Sequence, residues 1–393
     1  MDYDVVIVGG GPIGCFVGRH IAESGRRVLI LEEHGEVGEP PHCAGLVSSE
    51  VLSISGVKDD VILNKIRGAS IYGYDGTKLS LLGERTYALV IDRILFDKRL
   101  AIMAEDRGVE LSRGSRVVGF KRDTNEIEVT FVRSGRESKV KTPLVIGADG
   151  AYSIVAKFFK LPLPREIIYG FQVEGELNCT NPYQVEVMVD NETSPGWFSW
   201  IIPVREDYAR IGLGINVKGN PREYLKRLCN KWEPLRSFKD SNIKRIMGGL
   251  IPLGLIERSY TDNVMLVGDA AVQLKPLSGG GLYLGLLAGL ICSKVALEAL
   301  DRGDFSSSML SKYHKLWMKS VGREIKLGLR LRKIFLGLTD KEKSELLRVL
   351  DNQEAKSIIL STGNIDHPWR VAYKIMTHIK VPLIARMLSL AFS

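Results

Sequence analysis

The first residues of the sequence that could do chemistry are three glycines near its start. Gly9, Gly11 and Gly14 form a GxGxxG motif between an apolar run and a predicted helix. The next apolar run ends at Glu32. In such a motif the first glycine permits a tight turn, the second lets a pyrophosphate approach the backbone, and the third lets the helix pack on the strand. The helix N-terminus stabilises phosphate charge, and the acid accepts hydrogen bonds from ribose hydroxyls. The spacing therefore predicts a dinucleotide site.

A second turn of this kind follows a later apolar run. The segment GADGAYSIV, residues 147–155, leads from a short predicted strand into a helix, with Asp149 at the turn. Asp149 is therefore a candidate for contact with the dinucleotide. An alternative interpretation is that the acid and the serine only cap the start of the helix, a role that both residue types often have.

A third segment, GDAAVQLKPLSGGGLYLG at residues 268–285, has features that suit a flavin. Asp269 can hydrogen-bond a ribityl hydroxyl, while Gly280 and Gly281 leave room for a flat ring above the start of an apolar helix. The end of that helix would stabilise negative charge on a reduced flavin. An ordinary loop before a core helix explains the hydrophobicity of the segment but not its three consecutive glycines. The three segments together predict FAD as the cofactor.

In this order, the three segments resemble the glutathione-reductase-type FAD fold shared by aromatic-ring hydroxylases and geranylgeranyl reductases. Further stretches resemble the geranylgeranyl reductase family more than the hydroxylases: HCAGL at 42–46, DRILFDKRLA at 92–101, and GWFSWIIP at 196–203 with GLG at 212–214. The resemblance to FAD proteins covers about the first 300 residues. It implies an FAD-dependent oxidoreductase that reduces isolated C=C bonds in geranylgeranyl chains of archaeal-type glycerophospholipid precursors.

The resemblance also implies which residues surround the flavin and the substrate. Contacts to FAD would come from residues at or near Gly14, Glu32, Cys43, Ala44, Arg93, Val118, Asp269, Gly281 and Leu282. An apolar tunnel would be lined by Trp197, Phe198, Trp200 and Ile202. A polyprenyl chain offers no charge, so only a long cavity with aromatic and aliphatic walls can hold it. Phe198, Trp200 and Ile202 alternate and would face one side of a strand. An ordinary domain core is the alternative for this stretch.

Several functional points stay open at this level. Cys43, the one catalytic candidate, would either sit by the flavin ring and affect its reactivity or proton supply, or be an inert buried thiol. The sequence does not identify the electron donor, because it contains no second complete dinucleotide motif. NAD(P)H, a reduced deazaflavin and ferredoxin are the open alternatives. The rival activities are an FAD-dependent monooxygenase and a menaquinone side-chain reductase. A non-catalytic lipid- or nucleic-acid-binding protein would leave the three glycine segments unexplained.

Composition limits the partners and the compartment. A net charge of +8 and a pI of about 9.1 favour an anionic partner, either nucleic acid or a phospholipid surface. With the flavin segments present, we expect no nucleic acid and leave peripheral contact with the inner face of the cell membrane open. The five cysteines are scattered without CxxC pairs, which indicates reduced thiols and no metal site. No basic, cleavable leader precedes the first apolar run, so we expect a cytoplasmic protein.

Two apolar stretches bear on the membrane question. Residues 282–297 include Lys294 and follow the glycine loop, so a buried helix is favoured over a membrane span. In the tail, residues 367–393, apolar positions recur every three or four residues among basic ones, which predicts an amphipathic helix interrupted near Pro382. Packing of this tail against the flavin domain is favoured over attachment to a membrane surface.

The chemistry requires a parallel sheet whose strands end at the glycine turns. Apolar runs at 5–8, 27–31, 144–146 and 264–267 predict these strands, and alternating or aromatic segments at 69–74, 184–189 and 196–214 predict an antiparallel sheet with one wet face. The predicted fold class is α/β: a glutathione-reductase-type Rossmann-like FAD-binding domain with an inserted antiparallel β-rich substrate domain and a helical C-terminal region, as in the hydroxylases. The predicted boundaries are 1–70, 92–160 and 258–320 for the FAD-binding domain, 71–91 and 161–257 for the β-rich domain, and 321–393 for the helical region.

Overall fold

The structure is a computed structural model that describes residues 2–378 of the 393-residue chain, with side chains from 2 to 375. The strands, in chain order, are β1 (Val5–Val8), β2 (Val28–Leu31), β3 (Leu46–Val47), β4 (Ile62–Ile66), β5 (Gly68–Gly73), β6 (Lys78–Leu82), β7 (Ala88–Ile91), β8 (Glu110–Ser112), β9 (Ser115–Arg122), β10 (Ile127–Arg133), β11 (Arg136–Thr142), β12 (Val145–Gly147), β13 (Glu166–Glu176), β14 (Gln184–Val189), β15 (Ser199–Arg205), β16 (Tyr208–Ile215), β17 (Ile243–Leu253), β18 (Tyr260–Thr261) and β19 (Val264–Leu266). The α-helices are α1 (Pro12–Ala22), α2 (Ser49–Ser55), α3 (Arg93–Glu105), α4 (Ile154–Phe158), α5 (Pro221–Lys231), α6 (Leu282–Arg302), α7 (Ser307–Gly337), α8 (Asp340–Leu350), α9 (Gln353–Thr362) and α10 (Pro368–His378).

The predicted parallel sheet is confirmed. Its strand order is β18-β19-β12-β1-β2-β8, and every pair is parallel except β18 with β19. β1 and β2 are buried along their whole length, as expected of parallel strands that are covered on both faces. β1, β12 and β19 are neighbours, so their carboxyl ends lie side by side. The three glycine turns therefore meet at one edge of the sheet, where open α/β sheets bind ligands.

A second sheet has the order β17-β13-β16-β15-β14-β5-β6. It is antiparallel except that β5 and β14 pair in parallel, which corrects the expectation of a fully antiparallel sheet. The physical reason is that the two strands come from distant parts of the chain, so no hairpin dictates an antiparallel pair. α5 covers one face through Leu225 and Leu228, which pack with Ile211 and Leu213.

Helices form the C-terminal part of the described chain. α7 begins at Ser307, earlier than the predicted start near 321, because the hydroxyl of Ser306 accepts a hydrogen bond from the Met309 amide and caps it. α8 and α9 pack on β6. Two predicted domain boundaries fall inside elements: 70/71 lies within β5 and 320/321 within α7. Residues 379–393 of the predicted amphipathic tail lie outside the described residues.

The fold class predicted from the sequence is confirmed: a Rossmann-like α/β sheet, a β-rich insertion and C-terminal helices. α6 is long and apolar enough to cross a membrane by length and composition alone, with a mean hydropathy of 1.6 in its most apolar stretch. Of that stretch 61% is buried within the protein, and the helix packs between α1 and α7. This burial agrees with the prediction of a core helix.

Candidate active site

The first glycine turn has the shape that a dinucleotide phosphate requires. Gly9 has φ +102°, and a Cβ on Gly14 would lie 2.0 Å from the carbonyl oxygen of Gly9, so neither position accepts a side chain. Gly11 caps α1 without any side-chain hydrogen bond, and a Cβ there would meet open space. The first amides of α1 therefore face space that a pyrophosphate can fill.

Glu32 lies at the end of β2 and is tied to this turn. Its Oε2 accepts a hydrogen bond of 2.6 Å from the Gly10 amide, while its Oε1 accepts from the amide of His34 at 2.9 Å and from the His34 ring at 2.7 Å. A carboxylate has about four acceptor sites, two on each oxygen, so Oε2 can still accept from a ribose hydroxyl. His34 was not predicted, and its only signal is its place two residues after the acid.

The second turn has the geometry of a helix cap. Asp149 Oδ2 accepts a hydrogen bond of 3.2 Å from the Val155 amide, and the hydroxyl of Ser153 accepts from Ala156. The capping alternative therefore accounts for one carboxylate oxygen. The other, Oδ1, is buried and has no hydrogen-bond partner among the described residues. Burial raises the pKa of Asp149. A hydroxyl group of a bound dinucleotide would satisfy this oxygen.

The third turn joins Asp269 to the glycine loop. A Cβ on Gly281 would lie 2.8 Å from Asp269 Oδ1, so the carboxylate touches the loop at the start of α6. Gly281 caps α6 without a side-chain hydrogen bond, and Leu282 is the buried first residue of the helix. Burial raises the pKa of Asp269 to about 6, against the opposing effect of Arg93. This edge therefore combines the start of α6, whose first amides have no side-chain partner, with Asp269, whose pKa of about 6 is close to neutral pH.

Arg93, whose charge acts on Asp269, also lies next to Cys43. Arg93 donates to Asp97 through Nε at 3.1 Å and through Nη2 at 2.9 Å, and it lies close enough to Cys43 for the two side chains to interact electrostatically. Burial lowers the pKa of Arg93, but Asp97 and Cys43 outweigh this effect and raise it above the ordinary value. Cys43 Sγ also accepts from the Gly45 amide at 3.4 Å. The thiol thus lies beside a buried ion pair.

The turn at 42–46 is fixed by the antiparallel sheet. Arg210 on β16 donates from Nη1 to the carbonyl oxygens of Ala44 at 2.8 Å and Ile91 at 3.0 Å, while its Nε donates to Glu174 at 2.7 Å. His42 Nδ1 lies 2.7 Å from the carbonyl oxygen of Gly248. Arg210 was missed from the sequence because nothing in its neighbourhood in β16 points to contacts more than a hundred residues away.

The predicted tunnel residues form two groups. Trp197 stacks on Phe198 with ring centroids 5.1 Å apart, and Phe198 contacts Trp200 edge-on at 5.9 Å. Trp200 donates its Nε1–H to Gln172 Oε1 at 2.8 Å. Trp197 and Ile202 are only 2% and 3% exposed, which fits core packing, whereas Phe198 and Trp200 keep exposed surface. Phe198 and Trp200 are therefore the side chains on which a ligand could lie.

One glycine links these aromatics to the flavin loop. Gly279 has φ +71°, and its Cβ position would lie 3.5 Å from the Trp197 ring and 3.0 Å from Ile251. Lys275, in the same loop, donates to Asp366 at 2.9 Å and to the Ile365 carbonyl oxygen at 3.0 Å. These two hydrogen bonds tie the loop to the segment between α9 and α10. The sequence did not predict this lysine contact.

Val118 is the most exposed of the predicted FAD contacts. It lies on β9 with its side chain 38% exposed. The first residue of that strand, Ser115, donates its amide to the Glu32 carbonyl oxygen at 2.7 Å. The start of β9 is thus joined to the acid that ends β2, although Val118 itself lies three residues further along.

Comparison with known proteins agrees with this geometry. Residues 2–317 match the family model of an FAD binding domain. The chain is 33% identical to the digeranylgeranylglycerophospholipid reductase of Methanocaldococcus jannaschii over 88% of this chain and 90% of the relative. It is also 35% identical to an uncharacterized protein of the same organism, over 98% of each chain. The crystal structure of a geranylgeranyl bacteriochlorophyll reductase-like protein from Thermoplasma acidophilum superposes with a TM-score of 0.87, covers 99% of both chains and is 24% identical, which establishes the fold.

Proposed function

This chain belongs to the geranylgeranyl reductase family of FAD-binding proteins, and on that premise we propose that it saturates isolated C=C bonds in the geranylgeranyl chains of glycerophospholipids. The observation that carries the proposal is the close approach of Gly279, in the loop at 279–281, to the Trp197 ring, which stacks on Phe198 and through it adjoins Trp200. An apolar chain lying on the exposed part of this cluster would be next to the loop that is proposed to receive the flavin ring.

The residues that would hold FAD fall into three groups. The amides of α1 and the turn at Gly9–Gly14 would bind the pyrophosphate, and Glu32 would bind the adenosine ribose. Asp269, with Gly280, Gly281 and Leu282, would hold the ribityl chain and the ring. When bound, FAD would supply a hydride to one alkene carbon. An external donor would supply the electrons that reduce the flavin beforehand.

The protein's own groups position the substrate and supply the proton. Phe198 and Trp200 would hold the prenyl chain by apolar contact and exclude water. Asp269, whose pKa burial raises to about 6, can hold a proton at the edge of the site near neutral pH. Cys43 presents a thiol from the turn that Arg93 and Arg210 hold. A Cys43→Ser variant with normal turnover would restrict Cys43 to a structural role.

An anaerobic turnover assay tests the proposal. The purified protein is reduced with dithionite and incubated with a geranylgeranyl glycerophospholipid, and the lipid is analysed by mass spectrometry. We expect a gain of about two mass units for each reduced double bond, together with reoxidation of the flavin. Unchanged lipid in this assay, with oxygen-dependent hydroxylation of a ring substrate in a parallel assay, would favour the monooxygenase alternative instead.

The location of the protein and the identity of its electron donor complete the proposed function. The lipid substrate implies that the protein works in the cytoplasm with peripheral contact to the inner face of the membrane. The electron donor is an external carrier, and NAD(P)H, a reduced deazaflavin and ferredoxin are each tested by replacing dithionite in the same assay. A menaquinone offered in place of the phospholipid separates the two classes of prenyl substrate.

A further inference from the structure

One face of α7 carries a continuous row of positive charge. Its members are Lys312, Lys315, Lys319, Arg323, Lys326, Arg330 and Lys333, and all are exposed. Successive members are three or four residues apart, so they share one side of the helix. At about 1.5 Å per residue the row is roughly 32 Å long. We call this row the α7 basic face.

Within the described chain, the α7 basic face has almost no acidic counterpart. Lys312 pairs with Glu298. None of the other six cations has a carboxylate within 4.0 Å among residues 2–375. Like charges at three- and four-residue spacing repel each other along a helix. The face therefore carries an unfavourable charge pattern that an anionic partner would relieve.

An apolar groove lies against the same helix. It has a volume of about 570 Å³ and is open to solvent. Its apolar walls are Leu253, Leu255, Ile256, Met318 and Leu329, and Lys326 of the basic face lies on its rim. The rest of the lining is polar and comes from Arg165, Glu166, Glu257 and His314. Leu253 also packs in the buried cluster that contains Trp197. The groove thus connects the basic face to the back of the aromatic cluster.

We propose that the α7 basic face docks the protein on an anionic phospholipid surface, with one lipid chain seated in the adjacent groove. Each Lys or Arg near an anionic bilayer contributes favourably to binding, and a row of six unpaired cations is enough for stable peripheral contact. The choice of a lipid partner rests on the proposed function, since the substrate itself is a membrane lipid.

The surroundings of the face favour lipid over nucleic acid. Leu316 and Leu336, on the same helix, are 37% and 43% exposed, and no Phe, Tyr or Trp of the described chain lines the groove. Proteins that bind single-stranded nucleic acid combine a basic track with aromatic rings on which bases stack. Here the exposed large apolar side chains of α7 are leucines, as expected for contact with acyl or prenyl chains.

Co-sedimentation with vesicles tests the docking surface in the full-length, flavin-loaded protein. The test variant is Lys319→Glu/Arg323→Glu/Lys326→Glu, and the matched control is Lys218→Glu/Arg222→Glu/Arg236→Glu, whose cations are exposed around α5. Both variants lower the net charge equally. We expect binding to vesicles that contain phosphatidylglycerol but not to pure phosphatidylcholine, a loss of about tenfold or more in the test variant, and a loss below about twofold in the control.

A neutral substitution tests the groove separately. Met318→Gln nearly conserves volume and charge, so it should weaken vesicle binding about threefold without changing its salt dependence. Equal binding to neutral and anionic vesicles, equal losses in the two triple variants, or binding of duplex DNA but not of vesicles through the α7 basic face would each overturn the proposal.

Turnover of detergent-solubilised lipid separates this proposal from the reductase activity. The test variant should keep wild-type turnover in detergent and lose turnover on vesicle-embedded lipid. If the wild-type protein binds anionic vesicles but reduces no double bond in either form, the proposed activity fails and the docking surface stands. If it reduces the lipid in detergent but binds no vesicle, the docking surface fails alone.

Discussion

The two sides of the candidate site are built in different ways. On the parallel-sheet side, backbone amides, glycines and helix starts shape the site, as at Gly9, Gly11 and Gly281. On the antiparallel-sheet side, large side chains shape it, and distant polar groups hold them: Gln172 fixes Trp200, and the Arg332 guanidinium lies 4.8 Å from the centre of the Trp197 ring.

The two sides should therefore respond differently to substitutions. A backbone cradle fails when a Cβ enters it, because close-packed main chain cannot move aside. A wall of side chains fails more gradually, because the rings can shift when one contact is lost. Substitutions at the glycines of the parallel-sheet side should therefore weaken flavin binding strongly, while those on the other side should lower turnover with flavin still bound.

The largest effect should come from Gly14→Ala. The new Cβ would lie 2.0 Å from the Gly9 carbonyl oxygen, so strand and helix must separate, at a cost above about 4 kcal/mol in the free energy of unfolding. Gly11→Ala is the matched control, because its Cβ meets open space in the protein alone. It should leave the unfolding of the flavin-free protein unchanged and still weaken FAD binding about a hundredfold. Urea denaturation and flavin titration measure the two quantities; equal stability of both variants would contradict the cradle.

The next effect should come from Arg210→Met, which breaks a buried ion pair with Glu174 inside the antiparallel sheet and the hydrogen bonds from that sheet to the Ala44 and Ile91 carbonyl oxygens. Removing the guanidinium leaves the buried Glu174 with only Arg245, 3.5 Å away, and frees the Ala44 carbonyl oxygen, so we expect a loss of about 3 kcal/mol in unfolding free energy. Arg205→Met removes an ion pair whose side chains are both more than 60% exposed and should cost less than about 1 kcal/mol. Similar losses in the two variants by urea denaturation would show that Arg210 does not tie the sides together.

A pH effect should follow from Asp269. Its folded pKa of about 6 lies above the ordinary value of 3.8, so its stabilising contribution is present below pH 4 and is lost as the pH rises through 6. Asp269→Asn should therefore stabilise the flavin-free protein by about 2 kcal/mol at pH 7, a figure that allows for partial exposure, and hardly at all at pH 4. Thermal denaturation at both pH values measures this; a gain that does not vary with pH, or one matched by the exposed control Asp207→Asn, would contradict it.

The smallest effect should come from the aromatic side. A Cβ on Gly212 would lie 2.4 Å from the Trp200 ring, so Gly212→Ala should displace the ring and break its bond to Gln172. We expect about a tenfold loss of turnover on the prenyl lipid with FAD content unchanged. Gly119→Ala, on β9 with open space around its Cβ, is the control. Loss of flavin from the Gly212 variant would contradict the division between the two sides.

The sequence predicted the backbone-built side well. The strands, the glycine turns and Glu32 are local patterns, and neighbouring parallel strands bring them together. The partners of the other side could not be predicted, because Arg210, Gln172 and Lys275 reach groups that are adjacent only after the sheets form. The parallel pairing of β5 with β14 was missed for the same reason. The start of α7 was missed although Ser306 offered a capping signal.

An anaerobic single turnover tests most directly whether the reduced flavin passes its electrons to a double bond of the lipid. Photoreduced protein is mixed with a geranylgeranyl glycerophospholipid in the absence of any other oxidant, and flavin absorbance and product mass are followed together. We expect the flavin to reoxidise only when the lipid is present and one double bond to be saturated per flavin, with a mass gain of about two units. Flavin that stays reduced in the presence of the lipid, or reoxidises without any change in lipid mass, would contradict it.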